Sequence, residues 1–191
     1  MFGSERLIFS YPHDAESGRL AEWLCDLENV RLMSPLLPYP RNPRQVLDRL
    51  RAGHAAPFTG APGAYELSIS MHDGAEPVGI AGLYSIDQGH SVAEIGVSLL
   101  DPELQGKGLG FEAHQLWVRY AFEDLGFQKL TGTVKSSNTR ALALAKKLGM
   151  ATEGILRSHR YVAGARIDLV VLGLLREEWR MHPTAPDQGN G

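Results

Sequence analysis

The stretch Gln105-Gly106-Lys107-Gly108-Leu109-Gly110 limits the fold of this chain more tightly than any other. Upstream, residues 92–100 read as a strand. Downstream, Leu109, Ala113, Leu116 and Tyr120 recur at helical spacing. Three glycines at a strand-to-helix junction make a bend that exposes several backbone N–H groups at a helix N-terminus. Those donors, with the aligned peptide dipoles behind them, favour an anion such as the pyrophosphate of a phosphorylated cofactor.

Spacing excludes the other common phosphate loops. A Walker A loop follows its Gly-Lys with Ser or Thr, whereas Gly106-Lys107 is followed by Gly108, which has no hydroxyl for magnesium. A dinucleotide fingerprint places its third glycine three residues after the second, but Gly110 follows Gly108 by two. The segment Gly126-Phe127-Gln128-Lys129-Leu130 also lacks the acidic residue expected for a ribose.

The rest of the chain sorts into elements. Residues 5–9 read as a first strand, 14–26 as a helix and 43–51 as a weaker helix. Between these helices the prolines at 35, 38 and 40 exclude regular helix over residues 34–40. That segment and the Ala/Pro/Gly-rich stretch 53–63 read either as a substrate lid or as exposed connectors. Strands follow at Tyr65–Met71, 78–86 and 92–100, then a helix ending near Leu125-Gly126 and a strand at Lys129–Lys135. A helix over 138–148 has Ser137 or Asn138 as its N-cap and Gly149 at its end. Two strands, 152–161 and 166–175, complete the domain. The tail 181–191 has almost no apolar content and is expected to be disordered.

Composition bounds the function classes. A chain of 191 residues, 43% hydrophobic and 21% charged, fits one soluble domain, placed at residues 1–180. It shows neither an 18-residue apolar run nor a signal-peptide-like N-terminus, so no membrane association is expected. The single cysteine, Cys25, lies off the apolar stripe of Leu20, Trp23, Leu24 and Leu27 and reads as a bystander. It suits a reducing, cytoplasmic setting. A net charge of −3 without a basic stripe argues against nucleic acid, and seven histidines without a paired or Cys/His cluster argue against a metal site.

The glycine hexapeptide fits the pattern Q/R-x-x-G-x-G/A. It is followed in order by Leu125-Gly126-Phe127-Gln128-Lys129-Leu130, by Asn138-Thr139-Arg140-Ala141 and by Lys146-Lys147-Leu148-Gly149-Met150-Ala151-Thr152-Glu153-Gly154. With these four blocks the chain resembles the GNAT superfamily of N-acetyltransferases. Within it, the chain is similar to the RimJ/RimL-like branch of ribosomal-protein and small-amine acetyltransferases. The likeness is dense from residue 76 to 179 and thin before. It implies an α+β, three-layer fold, with a mixed, mostly antiparallel sheet flanked by helices, and acetyl-CoA as co-substrate.

By the same resemblance, acetyl-CoA enters a wedge between the strand 92–100 and its neighbour Lys129–Lys135. The backbone of Leu99 and Leu100 pairs with the pantetheine arm, and N–H groups from Gly106, Lys107, Gly108, Leu109, Gly110 and Phe111 hold the pyrophosphate. Gln105 and Lys107 either add polar contacts or point to solvent. Asn138 matches the family asparagine on the pantetheine side, and can equally serve as a helix cap. Lys147 either reaches the 3′-phosphate or is simply solvated. A primary amine must lose a proton before it attacks the thioester. Glu94, on one strand face with Gly96 and Ser98, is the residue assigned that proton; the alternative is an exposed glutamate on an alternating strand. Glu153 ranks below it, and Asp168 is expected to fix the closing hairpin.

The acid that protonates the departing thiolate does not carry over. Superfamily members often have tyrosine where this chain has Ala145, and some branch relatives have serine at the position of Ala141. Tyr84, Ser98, Tyr161 or water remain as substitutes. The expected activity is therefore transfer of acetyl from acetyl-CoA to a small amine, an amino sugar or antibiotic, or a protein N-terminus, by a monomer or homodimer. The competing expectation is a CoA-binding module of the same fold without turnover.

Overall fold

A computed structural model describes residues 1–11, 14–26, 42–46, 48, 65–74, 76–104, 106–162 and 164–181. The segments 34–40 and 53–63, read as lid or connectors, residue Gln105 and the tail beyond 181 lie outside the described residues. In chain order the elements are β1 (Phe2–Gly3), β2 (Leu7–Ser10), α1 (Asp14–Cys25), β3 (Tyr65–Met71), β4 (Pro77–Asp87), β5 (Val92–Leu99), α2 (Leu109–Arg119), β6 (Lys129–Lys135), α3 (Thr139–Lys147), β7 (Ala151–Val162), β8 (Ala165–Leu175) and α4 (Arg176–Met181). The strands form one sheet in the order β1-β2-β3-β4-β5-β6-β8-β7. Every neighbouring pair is antiparallel except β5 with β6. The expected mixed, mostly antiparallel sheet flanked by helices is what the chain forms.

Alternation along β3 explains the two faces. Tyr65, Leu67 and Ile69 pack under α2, while Glu66, Ser68 and Ser70 point to the α1 side. The α2 face holds the larger core. Trp117 is fully buried there, and its indole N–H donates to the Gly82 carbonyl at 3.0 Å. Around it stack Phe2, Phe9, Tyr65 and Tyr120. The α1 face holds a smaller cluster in which Leu20, Ala21 and Leu24 cover Ile80 and Leu100.

Three elements differ from expectation. The strand expected over 5–9 is β2 and begins at Leu7, with the short β1 ahead of it, because the Ser4 hydroxyl accepts the N–H groups of Arg6 (3.2 Å) and Leu7 (3.0 Å) and turns the chain between the two. The helix after the glycine bend is α-helical only to Arg119, then makes one π turn over Tyr120–Asp124 before Gly126 at φ 77°. The short α4 follows β8 directly. Glu178 reaches back to accept the Leu175 N–H at 2.9 Å, and Trp179 is buried in the core. Of the weaker helix expected over 43–51, residues 43–46 and 48 are helical and the others lie outside the described residues.

Candidate functional site

The site begins where the sheet comes apart. β5 and β6 pair only at Val92↔Lys129, Ala93↔Leu130 and Glu94↔Thr131, yet β5 runs on to Leu99 and β6 to Lys135. β6 keeps its pairing with β8 as far as Lys135↔Leu169, while β5 keeps its pairing with β4 as far as Leu99↔Gly79. The two strands therefore diverge beyond Glu94. Main-chain groups that turn into such a cleft need partners, and an extended ligand can supply them as an added strand.

Register decides which residues face the cleft. The Ser98 carbonyl lies against Gly79, and the Leu100 N–H donates to the Val78 carbonyl at 2.8 Å, so even-numbered positions of β5 turn their main chain to β4. The carbonyls of Ala93 and Ile95 turn the other way, toward Thr131 and Gly132. Of the two residues expected to meet the pantetheine arm, Leu99 has the parity of the cleft side, whereas Leu100 turns its amide to β4. The Leu100 amide is already bonded, and the main chain that lines the cleft belongs to Ile95, Val97 and Leu99.

At the open end lies the glycine bend. Gly106 and Gly108 both have φ of 79°, a left-handed conformation costly for any residue with a Cβ. A Cβ built at either would meet nothing within 4 Å, so conformation rather than crowding selects glycine there. Gly108 caps α2 without a side-chain bond, and its carbonyl takes the N–H groups of Phe111 (3.1 Å) and Glu112 (3.2 Å). The Phe111 amide is thus bonded within the helix, whereas Leu109 and Gly110 occupy the first positions of the turn, where N–H groups lack intrahelical acceptors. The Lys107 carbonyl accepts from Arg6 Nη1 at 3.3 Å.

Asn138 caps α3, its Oδ1 accepting the Ala141 N–H at 3.1 Å. With one lone pair of that oxygen engaged, the side chain still has both amide N–H groups to offer a ligand. The Lys147 ammonium lies 4.1 Å from the centre of the Phe111 ring, joining the end of α3 to the first turn of α2.

At the vertex of the cleft stands Glu94. The Thr133 hydroxyl donates to its Oε1 at 2.8 Å, bridging the parting strands. On the same face the Tyr84 ring lies over Gly82 and Gly96. A Cβ at Gly82 would come within 2.4 Å of the tyrosine Cζ, and one at Gly96 within 3.0 Å of Cε2. The Tyr84 hydroxyl donates to Glu66, a carboxylate only 5% exposed, at 2.9 Å. Glu153 is paired with Lys129 at 2.6 Å and lies over Gly173, while Asp168 accepts the Ser158 N–H at 2.7 Å. Both are engaged in holding strands. Tyr161 is 55% exposed on β7.

Residues 6–151 match the family model described as an acetyltransferase (GNAT) domain. The chain belongs to this GNAT acetyltransferase family. It is 33% identical to an uncharacterized N-acetyltransferase, p20, of Bacillus licheniformis, over 92% of this chain and 96% of that one. It is 26% identical to the [ribosomal protein uS5]-alanine N-acetyltransferase of Escherichia coli K12, over 92% of this chain and 91% of the relative. Among solved structures, the spermidine N-acetyltransferase of Vibrio cholerae in complex with CoA and spermine superposes with a TM-score of 0.80 at 19% identity, covering 93% of this chain and 99% of that one. The fold and the enzyme class are therefore those of a GNAT acetyltransferase.

Sequence reasoning missed Thr133, Ile95 and Val97 in this GNAT site. Thr133 is 39 residues from Glu94, and only the β5–β6 register brings them together. The alternation of β5 carried the signal for Ile95 and Val97, which share the parity of Leu99. Among the described residues, no group of three His, Cys, Asp or Glu side chains is placed to hold a metal ion, and no helix is long and apolar enough to cross a membrane.

Proposed function

We propose that this acetyltransferase moves the acetyl group of acetyl-CoA to a primary amine by direct attack of the amine on the thioester. The observation that carries this reading is the cleft between β5 and β6, with a carboxylate at its vertex and the glycine bend at its mouth. The residues fit coenzyme A. Odd-numbered β5 residues present main chain to a pantetheine arm, and Gly106, Lys107, Gly108, Leu109 and Gly110 present amides to the diphosphate. Asn138 offers its N–H groups beside the cleft. Lys147, held on Phe111, adds positive charge near the bend. The thioester supplies an activated acyl carbon with a stable thiolate as leaving group.

The protein supplies alignment and a proton acceptor. Alkylamines resemble lysine, with a pKa of about 10.4, and are mostly protonated at neutral pH. Glu94 takes that proton, directly or through water, a service typically worth about 10²- to 10⁴-fold. Thr133 holds the Glu94 carboxylate in place through its hydrogen bond. Fixing amine and thioester in line contributes up to about 7–11 kcal/mol more. Ala141 and Ala145 bring no hydroxyl, so the thiolate is protonated by water or by a hydroxyl elsewhere.

The acceptor is a small amine, an amino sugar or antibiotic, or a protein N-terminus. Relatives support both ends of that range, one named for the alanine of uS5 and a structural neighbour holding spermine. The test is release of free thiol from acetyl-CoA against a panel of polyamines, aminoglycosides and N-terminal peptides. Acceptor-dependent release establishes the reading. Tight CoA binding without transfer to any amine would instead establish a binding module, the alternative that Ala141 and Ala145 favour.

A further inference from the structure

We infer that Arg6, in the turn between β1 and β2, is a positioning residue for the cofactor diphosphate, because it takes up two negative groups at the glycine bend. The inference rests on reading that bend as the diphosphate site. Glu112 stands in the first turn of α2. A carboxylate there suits the helix dipole, but it opposes a second anion at the same amides. The Lys107 carbonyl is a further negative dipole within the bend itself.

One side chain answers both. Arg6 pairs through Nη2 with Glu112 Oε2, and its Nη1 donates to the Lys107 carbonyl at 3.3 Å. The other Glu112 oxygen accepts the Ser4 hydroxyl at 2.5 Å, so both carboxylate oxygens are tied to the β1–β2 turn. Ser4 in turn accepts the amides of Arg6 and Leu7, which fixes the direction from which the guanidinium approaches. The two tasks need a planar fork with donors on two nitrogens. Arginine has that fork, whereas a lysine ammonium is a single point of charge. The Arg6 side chain is 50% exposed and Glu112 19%, so the positive charge is the more accessible of the pair. The N-terminal hairpin thereby becomes part of the anion site without contributing an amide to it.

Calorimetric titration of CoA and of 3′-dephospho-CoA, which keeps the diphosphate, tests this on the whole chain. Arg6→Ala is expected to weaken both ligands about tenfold, as an uncompensated charge within several ångströms of the diphosphate would. Glu112→Gln should bind at least as tightly as wild type. The double variant R6A/E112Q should recover to within about threefold of wild type, because removing the carboxylate removes the need for its partner. A fold-maintaining role alone would make the double variant no better than R6A, and that result overturns the inference. So would unchanged affinity in R6A, or a loss seen with CoA but absent with dephospho-CoA, which would move Arg6 to the 3′-phosphate. Should R6A not fold, Arg6→Gln keeps a donor for the Lys107 carbonyl without the charge and enters the same cycle with the same expectations. Wild-type protein that bound neither ligand would refute the diphosphate site itself, a failure separate from these.

Discussion

At the scale of single residues, Glu94 is defined by its neighbours more than by its own chemistry. It is the last β5 residue paired with β6, and the Thr133 hydroxyl fixes one carboxylate oxygen at 2.8 Å. Glu94→Gln should lower kcat by about 10²-fold or more at neutral pH, with part of the deficit recovered at high pH as free amine accumulates. An unchanged rate–pH profile would remove Glu94 from the reaction. Thr133→Val removes one hydrogen bond to a charged group, about 1.5–3 kcal/mol, and should lower kcat by about ten- to a hundredfold while leaving the KM for acetyl-CoA nearly unchanged. A second residue-scale prediction concerns His114, whose Nδ1 lies 2.7 Å from the Gly110 carbonyl. Burial disfavours its imidazolium and pushes its pKa below the usual 6.5. The unfolded chain therefore binds the proton more readily. The stability this residue contributes is whole above about pH 6.5 and declines as the pH falls through that value. His114→Gln should flatten the fall in Tm between neutral and mildly acidic buffer, measured by calorimetry at several pH values.

At the scale of elements, the glycine bend gives the sharpest test. Gly108 holds a φ of 79°, where a β-branched residue is strained, and its amide belongs to the proposed anion site. Gly108→Val should weaken CoA binding beyond detection in a calorimetric titration, and unaltered affinity would contradict the placement of the diphosphate. Much at this scale was legible in the sequence. Tyr65–Met71 and Lys129–Lys135 fall where the sequence pattern puts them, the first with apolar side chains toward α2 and buried polar ones opposite, the second with Leu130 and Gly132 buried in alternation. The Asn138 cap and the bend were legible because caps and tight turns are local chemistry. What stayed hidden depends on partners far along the chain. Alternation locates β5 but does not say how far β6 accompanies it, so the cleft could be expected only from resemblance. The direction of the Leu100 amide was not legible, because the side to which it turns is set by β4 rather than by the residue. The helix α4 was missed because its start is signalled only by the carboxylate of Glu178 reaching back across a single turn.

At the scale of the whole molecule, the two faces of the sheet divide stability from chemistry. The α2 face carries the aromatic stack around Trp117, so Trp117→Ala should cost about 3–5 kcal/mol of unfolding free energy in denaturant titration. CoA at a hundred times its Kd should add about 2.7 kcal/mol, or roughly 5–10 °C in Tm for a domain of this size. The opposite face carries Glu66, Tyr84 and Glu94, and there one ring occupies the space that side chains at 82 and 96 would otherwise fill. Positions 82, 84 and 96 are interlocked: a methyl group at Gly82 would collide with the tyrosine ring, and one at Gly96 would press on its edge. Removing the ring, by contrast, frees space on the Glu94 face and leaves the tryptophan side of the sheet untouched. Tyr84→Ala should accordingly broaden the panel of acceptors toward bulkier amines, with a fall in Tm because the buried Glu66 carboxylate loses a donor.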